Sequence, residues 1–382
     1  MSLTSSGLAS GHAVPAAEGV MSVDALRGFD MMWIVGADAL GHALHGFGGG
    51  GFLTSVALQL DHAPWAGFRF YDLIFPLFVF LIGVSIPFSL GRLVEGGGRG
   101  AAMQRIIRRT LLLYLLGLFY YWGMAKGFDQ IRWLGVLQRL ALCYGFAGLM
   151  YVYLRPRGLA GAGVALLAGY WALLTFVPVP GVGPGDYSEG RNLTNWFDKQ
   201  FLPGFKWDGD HDPEGILSTL PAVASCLLGV FAGNLLKDGT VAPGDKVRRL
   251  LIAGVVLLAA GYLWGMRFPI IKKLWTSSFV LVAGGWSALL LAAFYWAIDL
   301  RGWRAWAVPF TWIGTNALTI YIVSRLVDFN EVSSRLVGGE IASWLDAHIA
   351  PHSSGLVLAL TGLALSFLLC RFLYRRQVFL RL

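Results

Sequence analysis

The stretch LIFPLFVFLIGVSIPFSLG, residues 73–91, contains no charged side chain and as a helix is long enough to cross the hydrocarbon core of a bilayer. Asp72 stands just before it and Arg92 just after. Working outward, comparable apolar windows recur at 23–45, 105–124, 133–154, 158–178, 215–236, 249–266, 277–298, 305–326 and 355–374, each read as a helix. Composition agrees: 56% of the 382 residues are hydrophobic and 14% are charged, against about a quarter charged in soluble domains. A soluble enzyme is excluded. The fold expected is all-α, a polytopic transmembrane helical bundle of about ten spans.

Orientation follows from where Lys and Arg fall between the spans. Arg92, Arg99, Arg105, Arg108 and Arg109, then Arg155 and Arg157, Lys237, Lys246, Arg248 and Arg249, Arg301 and Arg304, and the basic C-terminal end all belong to one set of connections. That set is cytoplasmic, as are both termini. The segment 179–214 is rich in Asp and Glu and falls outside; Lys272 and Lys273 would also fall outside, against the rule. The net charge of +8 is thus a topology signal, and no nucleic-acid partner is implied. Cys143, Cys226 and Cys370 all lie in apolar blocks, so neither a disulfide framework nor a cysteine metal site is expected.

Residues 1–20, rich in Ser, Ala and Gly, read as a flexible tail rather than a cleaved signal peptide, leaving 21–382 as one membrane domain. The glycine runs at 48–51 and 96–98 are connectors without phosphate-loop spacing. Gly229 and Gly233 form a small-xxx-small pair for helix packing, within one chain or between the copies of a homodimer. The stretch 340–350, EIASWLDAHIA, suits an amphipathic helix on the outer interface.

Ionisable residues inside spans are costly, which makes them functional candidates. The first span carries Asp24, Arg27, Asp30, Asp38, His42 and His45. At 100° per residue, Arg27, Asp38 and His45 fall within about 20° of one another, so that face points into the bundle or a wet cavity. Arg27 can pair with Asp24 or Asp30 for structure alone; Asp38 lacks a local cation. His62 lies between Asp61 and Pro64, ahead of a span opening with Asp72. A histidine there can take and return a proton near neutral pH or serve only as a hydrogen-bonding surface residue. For orienting its ring, Asp72 or Asp38 is better placed than Asp61. Gln138 and Arg139 sit one turn inside the fourth span, where an arginine suits an anionic group, a carboxylate, or outward snorkelling. Asp208, Asp210, His211, Asp212 and Glu214 have a metal-like composition but match no metal-site spacing, and no metal is expected. Asp212 and Pro213 instead suit the cap and first residue of a helix. Asn316 is a buried amide in need of a partner.

Taken in order, SVDALRGFDMMWIVGAD (22–38), DHAPWAGFRFYDLIFPLFVFLIGVSIPFSL (61–90), IRWLGVLQRLALCYG (131–145), DPEGILSTL (212–220), KKLWTSSFV (272–280) and GTNALTIY (314–321) resemble the transmembrane acyltransferase family of heparan-α-glucosaminide N-acetyltransferase and its bacterial relatives. The resemblance spans nearly the whole membrane domain and implies a multi-pass enzyme of a bacterial inner membrane. Such an enzyme moves an acetyl group from cytosolic acetyl-CoA to an extracytoplasmic acceptor, an amino sugar or other glycan. His62 matches the family's active-site histidine, with Asp38, at a position where the family often carries Asn, and Asp72 as its catalytic companions. Arg139 and Glu214 match the LQR and DPEG positions; with Trp65, Gln138, His211 and Asn316 they are assigned to the acceptor. Arg105, Arg108, Arg109, Arg248 and Arg249 are available for the phosphates of CoA. From intramembrane charge alone, a proton-coupled transporter or flippase of an anionic or sugar-linked substrate is the alternative.

Overall fold

A computed structural model describes residues 20–46 and 51–380. Apart from Val20, the tail expected over 1–20 lies outside the described residues, as do residues 48–50 of the first glycine run. Helices α1 (Met21–Gly46) and α2 (Phe52–Gln59) precede α3 (Phe70–Glu95), which turns through the glycines at 96–98 into α4 (Arg99–Tyr120). Next come α5 (Val136–Tyr153), α6 (Pro156–Phe176) and a long segment whose only α-helix is α7 (Leu193–Phe201). The chain then runs through α8 (Thr219–Lys237), α9 (Pro243–Gly265) and α10 (Ser277–Phe294), the last extended by a π-helical turn, Tyr295–Leu300. It finishes with α11 (Val308–Gly314), α12 (Ala317–Leu326), α13 (Phe329–Val337), α14 (Glu340–His348) and α15 (Ser353–Arg375). Among the described residues there are no strands, only isolated bridges.

Seven of these helices are long and apolar enough to cross a membrane: α3, α5, α6, α8, α9, α10 with its π turn, and α15. Helices α1 and α4 cover the expected first and third spans but carry more charge along their length. The ninth expected span, 305–326, is not one helix. It breaks at Thr315 and Asn316 between α11 and α12, where the Asn316 amide donates to the Trp312 carbonyl and the Thr315 hydroxyl to that of Thr311. Gly314, at the break, lies directly against the α1 backbone at Asp24. The apolar pattern runs on through the break, so hydropathy alone does not register it. The start expected for α8 is also corrected. The helix begins at Thr219, and Asp212, expected as its cap, gives its carboxylate to Arg132 instead.

Burial separates a centre from a periphery. The apolar windows of α3, α8 and α10 are 67%, 72% and 78% buried inside the protein, whereas those of α6, α9 and α15 are 22% buried and present most of their surface outward. The central contact depends on glycine: Gly83 of α3 meets the Cys226 carbonyl, and Gly229 and Gly233 of α8 meet the carbonyls of Phe80 and Val84. Any Cβ there would overlap backbone, so the small-xxx-small pair packs within the chain. Pro76 and Pro87 sit inside α3 and leave the carbonyls of Asp72 and Gly83 without their intrahelical donors. Helix α14 covers the expected amphipathic stretch and exposes Ile341 and Trp344.

Candidate active site

Asp72 is the third residue of α3, and its position there does two things at once. Its Oδ2 accepts from the backbone amides of Arg69 (3.0 Å) and Ala63 (3.1 Å), fixing the approach of the 60–69 segment to the helix. Its Oδ1 accepts from Nδ1 of His62 at 2.9 Å. A carboxylate already receiving two amides is an acceptor, so the histidine proton lies on Nδ1 and the Nε2 lone pair is left to the cavity. The ring also stacks on Tyr71 (centroids 4.6 Å apart, planes at 13°), and the guanidinium of Arg69 donates to the His62 carbonyl. Of the two carboxylates that the sequence offered for this ring, Asp72 makes the contact. Asp38 accepts from the Tyr71 hydroxyl at 3.3 Å, one residue further back, while Asp61 pairs with His45.

These residues line a cavity of about 520 Å³, termed outer after the orientation expected from the sequence. Its opposite wall is the 266–276 segment, joined to the His62 segment by the Ala66–Ile271 bridge and by the Gly67 amide bonding to the Ile270 carbonyl. Lys272, on that wall, brings Nζ within 3.0 Å of Nδ1 and 3.1 Å of Nε2 of His62, and within 3.8 Å of Asp72. Burial lowers its ammonium to about 8, against the pull of Asp72, Glu214 and Asp38. Trp275 closes the floor in a left-handed backbone conformation (φ 53°), uncommon for a bulky residue; Thr276 beside it caps α10, and Ser225 accepts from the Trp275 indole.

A buried ion pair makes the third wall. Arg132 donates to both carboxylate oxygens of Asp212 (2.9 and 2.7 Å) and to Glu214 (2.6 Å), with its guanidinium between the rings of Tyr121 and Trp207. Burial pushes the Glu214 carboxyl up even so. Over the mouth lies the segment between α6 and α8. The Trp65 indole donates to the Tyr187 carbonyl, and Lys273 bridges Glu189 (2.9 Å) and Asp208 (3.0 Å). His211 Nε2 faces the same two oxygens at 3.8 and 3.9 Å, a grouping that could hold a metal, but the Lys273 ammonium already supplies their cation.

A second cavity of about 380 Å³ opens toward the other end of α1. The residues Asp24, Arg27, Met31, Ile34 and Asp38 form one stripe at helical spacing, the first four lining this inner cavity and the last two the outer. Arg27 bonds Asp24 (2.8 Å) and Ser85 (3.0 Å). Arg105 and Arg109 complete the cationic wall, with Phe379 and Leu380 at the rim. Ile34, Phe75, Val136 and Tyr321 line both cavities and form an apolar waist between them.

The sequence candidates therefore divide. His62, Asp38, Asp72, Trp65 and Glu214 meet around the outer cavity, and Arg105 and Arg109 around the inner one. Arg139 is buried behind the floor, under Trp275, bonding Ser218 and the Gly215 carbonyl; Gln138 donates to the Arg132 carbonyl; His211 and Asn316 line neither cavity. Arg108, Arg248 and Arg249 stay away from both. Asp30 is fully buried and accepts no hydrogen bond among the described residues. Sequence reading did not single out Arg132, Tyr71 or the two lysines as site residues. For the lysines there was a signal: in the expected topology they are cations where the charge rule does not place them.

No family model matches the chain. It is 26% identical over 420 residues to heparan-alpha-glucosaminide N-acetyltransferase of Homo sapiens, covering 94% of this chain and 59% of that protein. The corresponding protein of Mus musculus is 25% identical, with 94% and 60% covered. The chain thus spans about three-fifths of the length of these curated relatives. This homology supports the transmembrane acyltransferase family.

Proposed function

We propose that the chain is a multi-pass membrane acetyltransferase that takes acetyl-CoA in its inner cavity and delivers the acetyl group to an amino sugar or glycan in its outer cavity. The observation that carries this is the pair of cavities back to back, arginines lining one, the His62–Asp72 pair lining the other, and Ile34, Phe75, Val136 and Tyr321 common to both walls. Arg27, Arg105 and Arg109 suit the phosphates of CoA, and the waist suits its long, uncharged arm. Transfer from a thioester to an amine needs the amine neutral at the moment of attack, and His62 Nε2, held open by the Nδ1–Asp72 contact, is the base for that proton.

The orientation belongs to the same reading. Ten crossings, counting α1, α4 and the α11–α12 pair, would leave both termini and the inner cavity cytoplasmic, where acetyl-CoA is found, and the outer cavity facing away from the cytosol. A bacterial inner membrane suits a chain of this kind.

The test is CoA release by the purified protein in detergent, with acetyl-CoA and glucosamine, comparing wild type with His62→Ala. Loss of about 10²–10⁴-fold in turnover with acetyl-CoA binding retained is expected. The back-to-back cavities also favour a second reading, a transporter with an occluded waist. Substrate uptake into vesicles driven by an ion gradient, with no CoA released by wild type, would replace the enzyme reading with that one.

A further inference from the structure

We propose that Lys272 is a catalytic residue of the acyl transfer, its ammonium holding the negative charge that develops on the thioester oxygen. This rests on the acetyltransferase reading above. The geometry singles the residue out. An atom 3.0 Å from one imidazole nitrogen and 3.1 Å from the other cannot lie in the ring plane beside Cε1 without overlapping it, so Nζ sits over the face of the His62 ring rather than in line with either lone pair. The Nε2 lone pair stays open while a cation waits beside it. A carbonyl carbon attacked at Nε2, or by an amine hydrogen-bonded to Nε2, carries its oxygen a little over 1 Å away. Donors close to that position strengthen their contact only as the oxygen gains charge, which is the condition for lowering a barrier rather than merely tightening binding.

Three further features make Lys272 a component of the site rather than a surface charge. Its side chain is 20% exposed. The backbone beside it is joined to the His62 segment by the Ala66–Ile271 bridge and the Gly67–Ile270 hydrogen bond, which sets the two segments side by side. And the neighbouring Lys273 turns away to Glu189 and Asp208, so that the two adjacent cations have separate tasks. The charged and titratable groups facing Lys272 are His62, Asp72 and Tyr71 from the His62 wall, Asp38 from α1 and Glu214 from the outer segment.

In the step itself, His62 Nε2 takes a proton from the acceptor's amine as its lone pair forms the new C–N bond. The C=O pair moves onto oxygen beside the Lys272 ammonium. When that pair returns, the C–S bond breaks and CoA leaves as thiolate, to which the imidazolium gives its proton. Lys272 gives up no proton in the cycle and must carry one throughout. Since its ammonium titrates at about 8, activity should fall as pH rises through that value.

The experiment measures CoA release and acetylglucosamine formation by the full chain in detergent between pH 6 and 10, for wild type, Lys272→Met and Lys272→Arg. Lys272→Met should lower kcat by about 10²–10³-fold while KM for acetyl-CoA moves little. Lys272→Arg should keep part of the activity and shift the alkaline limb upward by a unit or more, because a guanidinium stays charged across the range. Should Lys272→Met fail to fold, the Lys272→Arg profile decides alone. Wild-type kcat in Lys272→Met, or an alkaline limb unmoved in Lys272→Arg, overturns the proposal while leaving the transferase reading intact. A wild type that releases no CoA overturns both.

Discussion

Around the inner cavity Arg27, Arg105 and Arg109 face one carboxylate, Asp24, whereas around the outer cavity Arg132, Lys272 and Lys273 meet Asp38, Asp72, Asp208 and Glu214. The inner set carries surplus positive charge that an anionic ligand would complete. Most of the outer set is paired: Arg132 is taken by Asp212 and Glu214, Lys273 by Glu189 and Asp208, and Asp72 by His62 and two amides, which leaves Lys272 beside the imidazole. Matched charges hold a reaction centre in place, and unmatched ones draw a ligand in. That contrast is the reason for assigning chemistry to one end and cofactor binding to the other.

The contrast can be broken most severely at Asp72. Asp72→Asn keeps the shape but removes the acceptor that fixes the imidazole tautomer, and turnover should fall by about 10²–10⁴-fold with acetyl-CoA affinity unchanged, read by steady-state kinetics beside equilibrium binding. Unaltered kcat would remove the histidine dyad from the mechanism. Next comes the boundary between the two ends: Ile34→Trp fills the waist and should cut acetyl transfer about 10²-fold, while CoA binding weakens less because its phosphates are still held at the arginine end. If transfer persists, the acetyl group does not take that route. Removing surplus charge with Arg105→Ala and Arg109→Ala together should raise KM for acetyl-CoA about tenfold or more, as expected for hydrogen bonds to charged groups, with kcat less affected. A drop in kcat at constant KM would reverse the assignment of the two ends. Smallest is Lys273→Met. A half-exposed ion pair contributes under about 1 kcal/mol, so its melting temperature should shift by only a few degrees; a larger shift would mean that the outer segment is clamped more firmly than these contacts account for.

Much of the bundle was legible because apolar length is a local property: α3, α5, α6, α8, α9, α10 and α15 all fall on expected windows. The α11–α12 break was not legible, since it depends on Gly314 meeting the α1 backbone from the far end of the sequence. The site shows the same division. His62 and Asp72 stand ten residues apart on one turn of chain, and their pairing was among the options that the sequence offered. Lys272 reaches the same ring from 210 residues away, and Arg132 reaches Asp212 across 80. Nothing local reveals such pairings. The two lysines were visible only as exceptions to the charge rule in the expected topology, and Arg139, conspicuous in sequence for its depth in a span, turns out to brace the cavity floor from behind.

The broken helix has a mechanical consequence. Tyr321, one of the four side chains of the waist, belongs to α12, the short piece beyond Thr315 and Asn316, and its ring lies flat against Tyr120 of α4 (centroids 4.6 Å apart, planes at 10°). A continuous helix would have to move along its whole length to shift that ring. Here the piece that carries Tyr321 is ten residues long and is separated by Thr315 and Asn316 from the piece whose Gly314 packs on the α1 backbone, so the anchor on α1 and the side chain of the waist sit on different pieces of helix.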